Sequence, residues 1–82
     1  MTNHGYSIRL VQANKLANIA HPGVNLGREC IARDISVTTV ANTLDVTRQT
    51  VYLWFTGSVE PRKTQAIKIR EFLSEINSYQ IG

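Results

Sequence analysis

The chain has 82 residues, two of them proline and five glycine, which is enough for one small domain over 1–82 with a modest apolar core. Its single cysteine excludes an internal disulfide framework and any cysteine-based zinc cluster. No apolar run approaches the ~20 residues of a membrane helix, and the opening stretch, Met1 to Tyr6, lacks the charged-then-apolar layout of a secretory signal. We therefore expect a soluble protein of a reducing compartment, with no membrane partner.

The formal charge of +3 is unevenly placed. Residues 48–70 hold Arg48, Arg62, Lys63, Lys68 and Arg70 against Glu60 alone, whereas 71–82 carry only Glu71 and Glu75. A basic middle suits a phosphate-facing surface, and equally a solvated helix face.

In chain order, the first predicted helix runs from Ser7 to Ala20, with Ser7 as its cap. Its apolar stripe is Ile8, Leu10, Val11, Leu16, Ile19 and Ala20, and it stops at His21-Pro22-Gly23. A second spans Val24 to Arg33 and buries Leu26, Cys30 and Ile31. Gly27 inside it costs about 1 kcal/mol relative to Ala. Ser36 then caps a short helix over 37–44, with Val37, Val40, Ala41 and Leu44 on one face. After Asp45-Val46, Thr47 caps another, Arg48 to Phe55, whose apolar side is Val51, Trp54 and Phe55 and whose exit is Gly57.

This region is rich in Thr and Val, which favour strand by local propensity. The spacing of 37, 40, 41 and 44 is nevertheless helical, and both segments open on capping residues. Two short helices separated by three residues have to cross steeply over a shared buried face, as in a helix-turn-helix. Pro61 opens the last helix, Arg62 to Asn77, with Ala66, Ile69, Leu73 and Ile76 as its stripe, widened by Ile67 and Phe72. The expected fold is all-α, a compact bundle of about five helices.

The run from Val40 to Trp54, VANTLDVTRQTVYLW, resembles the helix-turn-helix of the Cro/Xre class of prokaryotic and phage DNA-binding proteins. Ala41 is small where the helices touch, Leu44, Val46 and Val51 fill the wedge, and Trp54 closes the far end. Asp45 stands where that class usually has glycine in a left-handed turn, a conformation aspartate tolerates better than most residues. His21-Pro22-Gly23, with Leu26 and Glu29, resembles the segment before the motif in HigA-type antitoxins. The first helix is not part of either resemblance.

The resemblance implies the lambda-repressor-like DNA-binding fold. It also implies a role as a sequence-specific transcriptional regulator, a repressor of the phage Cro type, in the cytoplasm of a bacterial cell and encoded by phage or host. A homodimer on a pseudo-palindromic double-stranded operator follows, because one short helix reads too few base pairs. Thr47, Arg48, Gln49, Tyr52 and Leu53 are the expected base readers. Arg forks onto guanine and Gln onto adenine, and Leu53 either meets a thymine methyl or packs inward.

Thr38, Thr39, Thr50, Thr56, Arg62 and Lys63 are the expected phosphate contacts. The dimer contact falls to the last helix, through Ile69, Leu73, Ile76 and Tyr79, or to the first. The alternative is a protein-interaction module on the same fold, an antitoxin-like cover for a small protein partner or a phage adaptor. Trp54 and Cys30 belong to the core on this reading. His4 and His21 stand apart from other ligand types, and no glycine-rich phosphate loop, His-Glu-x-x-His pattern or nucleophile elbow occurs. We expect no metal, no cofactor and no enzyme activity.

Overall fold

A computed structural model describes residues 6–78; His4 and Tyr79 lie outside them. Among these described residues five helices follow one another: α1 (Ile8–Leu16), α2 (Pro22–Ala32), α3 (Val37–Leu44), α4 (Arg48–Phe55) and α5 (Lys63–Ser78). The fold is a compact all-α bundle with a radius of gyration of 11.7 Å, the size expected of a well-packed chain of this length. Among the described residues no helix is long and apolar enough to cross a membrane.

Three helix starts follow directly from hydroxyl chemistry. Ser7 accepts from the Leu10 amide, Ser36 from the Thr39 amide and Thr47 from the Thr50 amide, each at 3.1 Å. Each satisfies an amide that a helix start leaves without an intrahelical partner. The start of α2 uses proline instead, with Pro22 at the first helical position, where its missing N–H costs nothing. The helix therefore begins two residues earlier than the expected Val24 and ends at Ala32. At α5 the Gln65 side chain accepts from the Arg62 amide at 2.9 Å, so Arg62 is the flanking residue and the helix runs one residue further along the chain than expected.

α1 is shorter than its periodicity suggests, ending at Leu16 rather than Ala20. Arg28, from α2, donates through Nη2 to the carbonyls of Asn14 and Lys15 and so caps the end of α1. Asn18 then accepts through its side chain from the Ala20 amide and folds the link into a turn.

The buried side of α1 also differs from the expected stripe. Ile8, Leu16 and Ile19 are 77%, 88% and 47% exposed, while Asn14 is fully buried. Leu10 and Val11 pack against the core beside it. Asn14 donates from Nδ2 to the carbonyls of Phe55 at 2.7 Å and Val24 at 3.1 Å, and its Oδ1 accepts from Arg28 Nε at 3.1 Å. A buried amide is tolerated when its donors and acceptor are all met, and here one side chain ties α1, α2 and α4 together.

The core holds Leu26, Cys30, Val40, Ala41, Leu44, Val51, Trp54, Phe55, Ile69 and Phe72. Tyr6 stacks on Phe55 with ring centroids 6.2 Å apart and donates its hydroxyl to the Ile35 carbonyl; burial pushes its phenol well above the usual range. On α5, Ile69 and Phe72 are buried and Leu73 and Ile76 half-buried, but Ile67 points out. Of the α5 residues expected at a dimer contact, Ile69 is thus spent on the chain's own core, and Leu73 and Ile76 pack partly against it.

Gly27 has a reason the sequence alone does not disclose. A Cβ there would stand 2.6 Å from Asn14 Nδ2 and 2.7 Å from Phe55 Cγ, so α2 and α4 meet at this point without room for a methyl group. Gly27→Ala should therefore lower stability by about 1–3 kcal/mol through overpacking, outweighing the ~1 kcal/mol that alanine gains in helix propensity. Thermal unfolding followed by circular dichroism checks this. A melting temperature at or above wild type would contradict the close approach.

Candidate nucleic-acid interface

The α3–α4 unit is built from two short helices and the turn 45–47. Val37, Val40, Ala41 and Leu44 of α3 are buried, as are Val51, Trp54 and Phe55 of α4. Asp45 takes the left-handed conformation, φ 59° and ψ 48°, so the chain reverses within the turn. The Val46 amide donates to the Ala41 carbonyl at 3.0 Å and closes the end of α3. Val46 itself is half-buried. At the far end Gly57 has φ 78°, and the Leu53 carbonyl accepts from the Ser58 and Val59 amides, which turns the chain toward α5.

Burying Val51, Trp54 and Phe55 sets the rotation of α4 and therefore what faces outward. Thr47, Arg48, Gln49 and Tyr52 are exposed, and Leu53, Thr50 and Thr56 are half-buried. Arg48 and Tyr52 are one turn apart on the same side of the helix. Thr38 and Thr39 are exposed in the first turn of α3, and Arg62 and Lys63 at the start of α5.

Several hydroxyls in this set already have partners. Thr50 pairs with Thr47 at 3.0 Å and Thr39 with Ser36 at 2.9 Å. Thr56 donates back to the Tyr52 carbonyl at 3.1 Å and lies 2.9 Å from Ser58 Oγ, so its hydroxyl serves the end of α4. Thr38, Arg48, Gln49, Arg62 and Lys63 have side chains that make no hydrogen bond or ion pair among the described residues. Arg33 behaves differently: it pairs with Glu29 and donates to Asn77. Arg28 is held by α1 as described above. The basic residues thus divide into two that hold the bundle together and several that face solvent with charge available.

α1 contributes a cation that periodicity arguments pass over. Arg9 is exposed and lines, with Tyr52, a groove between α1 and α4. The signal available in sequence was the absence of any acidic residue before Glu29.

Cys30 is fully buried, and burial pushes its thiol up to about 12, so it stays protonated near neutral pH. His21 pairs through Nδ1 with Glu60 at 2.7 Å, linking the start of α2 to the segment before α5. Among the described residues no group of three or more His, Cys, Asp and Glu is placed to hold a metal ion.

The Thr47 cap sets where α4 begins. Thr47→Ala should cost about 1 kcal/mol of stability, visible as a lower midpoint in urea with an unchanged slope. An unshifted midpoint would mean that α4 begins elsewhere.

Comparison with models of known protein families, with curated proteins and with solved structures yields no match to this chain.

Proposed function

We propose that the chain is a sequence-specific double-stranded DNA-binding protein that regulates transcription, acting as a homodimer on a pseudo-palindromic operator. The observation that carries this reading is the two-sidedness of α4. Val51, Trp54 and Phe55 lock the helix into the core, while the Thr47 cap and, along its edge and outer side, Arg48, Gln49 and Tyr52 are exposed to solvent. A rigidly held helix with an exposed, unpaired Arg-Gln pair in its first turn has the chemistry of a major-groove reader. The chain's resemblance to the Cro/Xre class rests on the residues that hold this helix in place, Ala41, Leu44, Val46, Thr47, Val51 and Trp54.

On this reading Arg48 forks onto guanine O6 and N7, Gln49 onto adenine N6 and N7, and Tyr52 and Leu53 meet the next base edges. Thr38, Thr39, Arg62 and Lys63 grip phosphates on either side, with Thr50 and Thr56 beside them. Occupying the operator blocks the promoter, which makes the protein a repressor in a bacterial cytoplasm. The interaction-module alternative draws on His21-Pro22-Gly23. That segment has a packing task here, since a Cβ on Gly23 would lie 2.7 Å from Trp54 Cβ and His21 pairs with Glu60. We therefore place DNA reading first.

Selection by purified protein from a randomised duplex library tests the proposal. We expect an inverted repeat with half-site centres about one helical turn apart. A single half-site would remove the symmetric dimer. Bulk, salt-sensitive binding without any enriched sequence would overturn the regulator reading in favour of an interaction module. Within the selected site, Arg48→Ala should cost about 1–3 kcal/mol at one base position and relax specificity there. Equal weakening on all sequences would make Arg48 a phosphate contact.

A further inference from the structure

Between α1 and α4 runs a groove of about 450 Å³ lined by Ser7, Arg9, Leu10, Ala13, Tyr52 and Thr56. Arg9 and Ala13 are one turn apart on α1, and Tyr52 lies one turn before Thr56, the residue that caps the end of α4, so two ridges face each other across it. The Tyr52–Thr56 ridge continues from Arg48 along the same side of α4. Arg9 is exposed and makes no ion pair or hydrogen bond among the described residues.

We infer that Arg9 is a phosphate-binding residue: α1 lies over one sugar-phosphate strand when α4 occupies the major groove, and Arg9 neutralises a phosphate there. The inference rests on the DNA-reading proposal above and extends it to a helix that lies outside both resemblances. An α-helix with its side chains is about 10–12 Å across, and the major groove is about 12 Å wide. A helix seated in the groove therefore fills it from wall to wall, and whatever packs against its flank lies over a backbone.

α1 packs against α4 through the buried Asn14, whose amide donates to the Phe55 carbonyl, and it flanks the side that carries Tyr52. Leu10 and Ala13 give the groove an apolar floor suited to deoxyribose. The Arg9 guanidinium supplies a planar, permanently charged fork for phosphate oxygens. Lys15, six residues further on, points about 120° away around α1 and lies on its other flank.

The test is binding of wild type, Arg9→Ala and Lys15→Ala to the selected duplex and to a scrambled duplex of equal length, across a range of salt. Arg9→Ala should weaken both duplexes by a similar factor, roughly eightfold at 0.1 M monovalent salt, and lower the salt slope by about one. Its selected sequence should stay that of wild type. Lys15→Ala, which removes the same charge from the other flank, should leave the slope unchanged.

Wild-type affinity and slope in Arg9→Ala would overturn the inference while leaving the DNA reading intact. So would an equal loss of slope in Lys15→Ala, which would make the effect one of net charge. A changed base preference in Arg9→Ala would exclude a phosphate contact. If wild type binds no duplex at any salt, the DNA reading itself fails and Arg9's role fails with it.

Discussion

The bundle depends on how closely α2 can approach α4. Gly23 and Gly27, one turn apart on α2, leave no space for a Cβ against Trp54 and Phe55, so the two helices meet almost backbone to side chain. Asn14 seals the same junction by holding the carbonyls of Val24 and Phe55 with one amide group. Shape and polarity are thus matched at one place. An added methyl group would push α4 outward, and a missing amide would leave the buried Phe55 carbonyl without its donor, a cost of about 1–3 kcal/mol.

Everything on the outer surface of α4 follows from that junction. With Val51, Trp54 and Phe55 committed inward, Gln49 falls on the opposite side of the helix, while Arg48 and Tyr52, one turn apart, stay exposed along its edge. The Thr47 cap fixes where the helix begins, and the left-handed Asp45 fixes how α3 leads into it. The resulting face is polar and cationic, and few of its side chains are used by the protein itself, whereas Arg28 and Arg33 are bound to other elements. That division of the basic residues is the physical content of the proposed interface. It separates charge that stabilises the fold from charge left for a polyanion.

Much of this was legible in sequence where local chemistry decides. The limits of α3 and α4 follow from Ser36, Thr47, Asp45 and Gly57, because caps and left-handed turns are properties of a few adjacent residues. Helical spacing at 37, 40, 41 and 44 correctly overrode the β-branched content.

The miss at α1 has a different origin. Its apolar residues suggest a stripe through Ile8, Leu16 and Ile19, yet the side that packs inward is Leu10, Val11 and Asn14. A polar residue in the core is legible only once its partners are known, and these come from Val24, Arg28 and Phe55, up to 41 positions away. Gly27 likewise reads as a defect until its neighbours are seen. The setting of Arg9 depends on α1 lying beside α4, a tertiary fact that no local pattern encodes.

The most direct measurement is a map of backbone amide resonances as the isotopically labelled chain is titrated with duplex DNA. We predict the largest shifts over 47–52, smaller ones at Thr38, Thr39 and around Arg9, and none in the groove of Ile19, Asn25, Ala66 and Leu73 between α2 and α5. Shifts centred on that groove, or an unperturbed α4, would contradict the assignment of α4 as the reading helix.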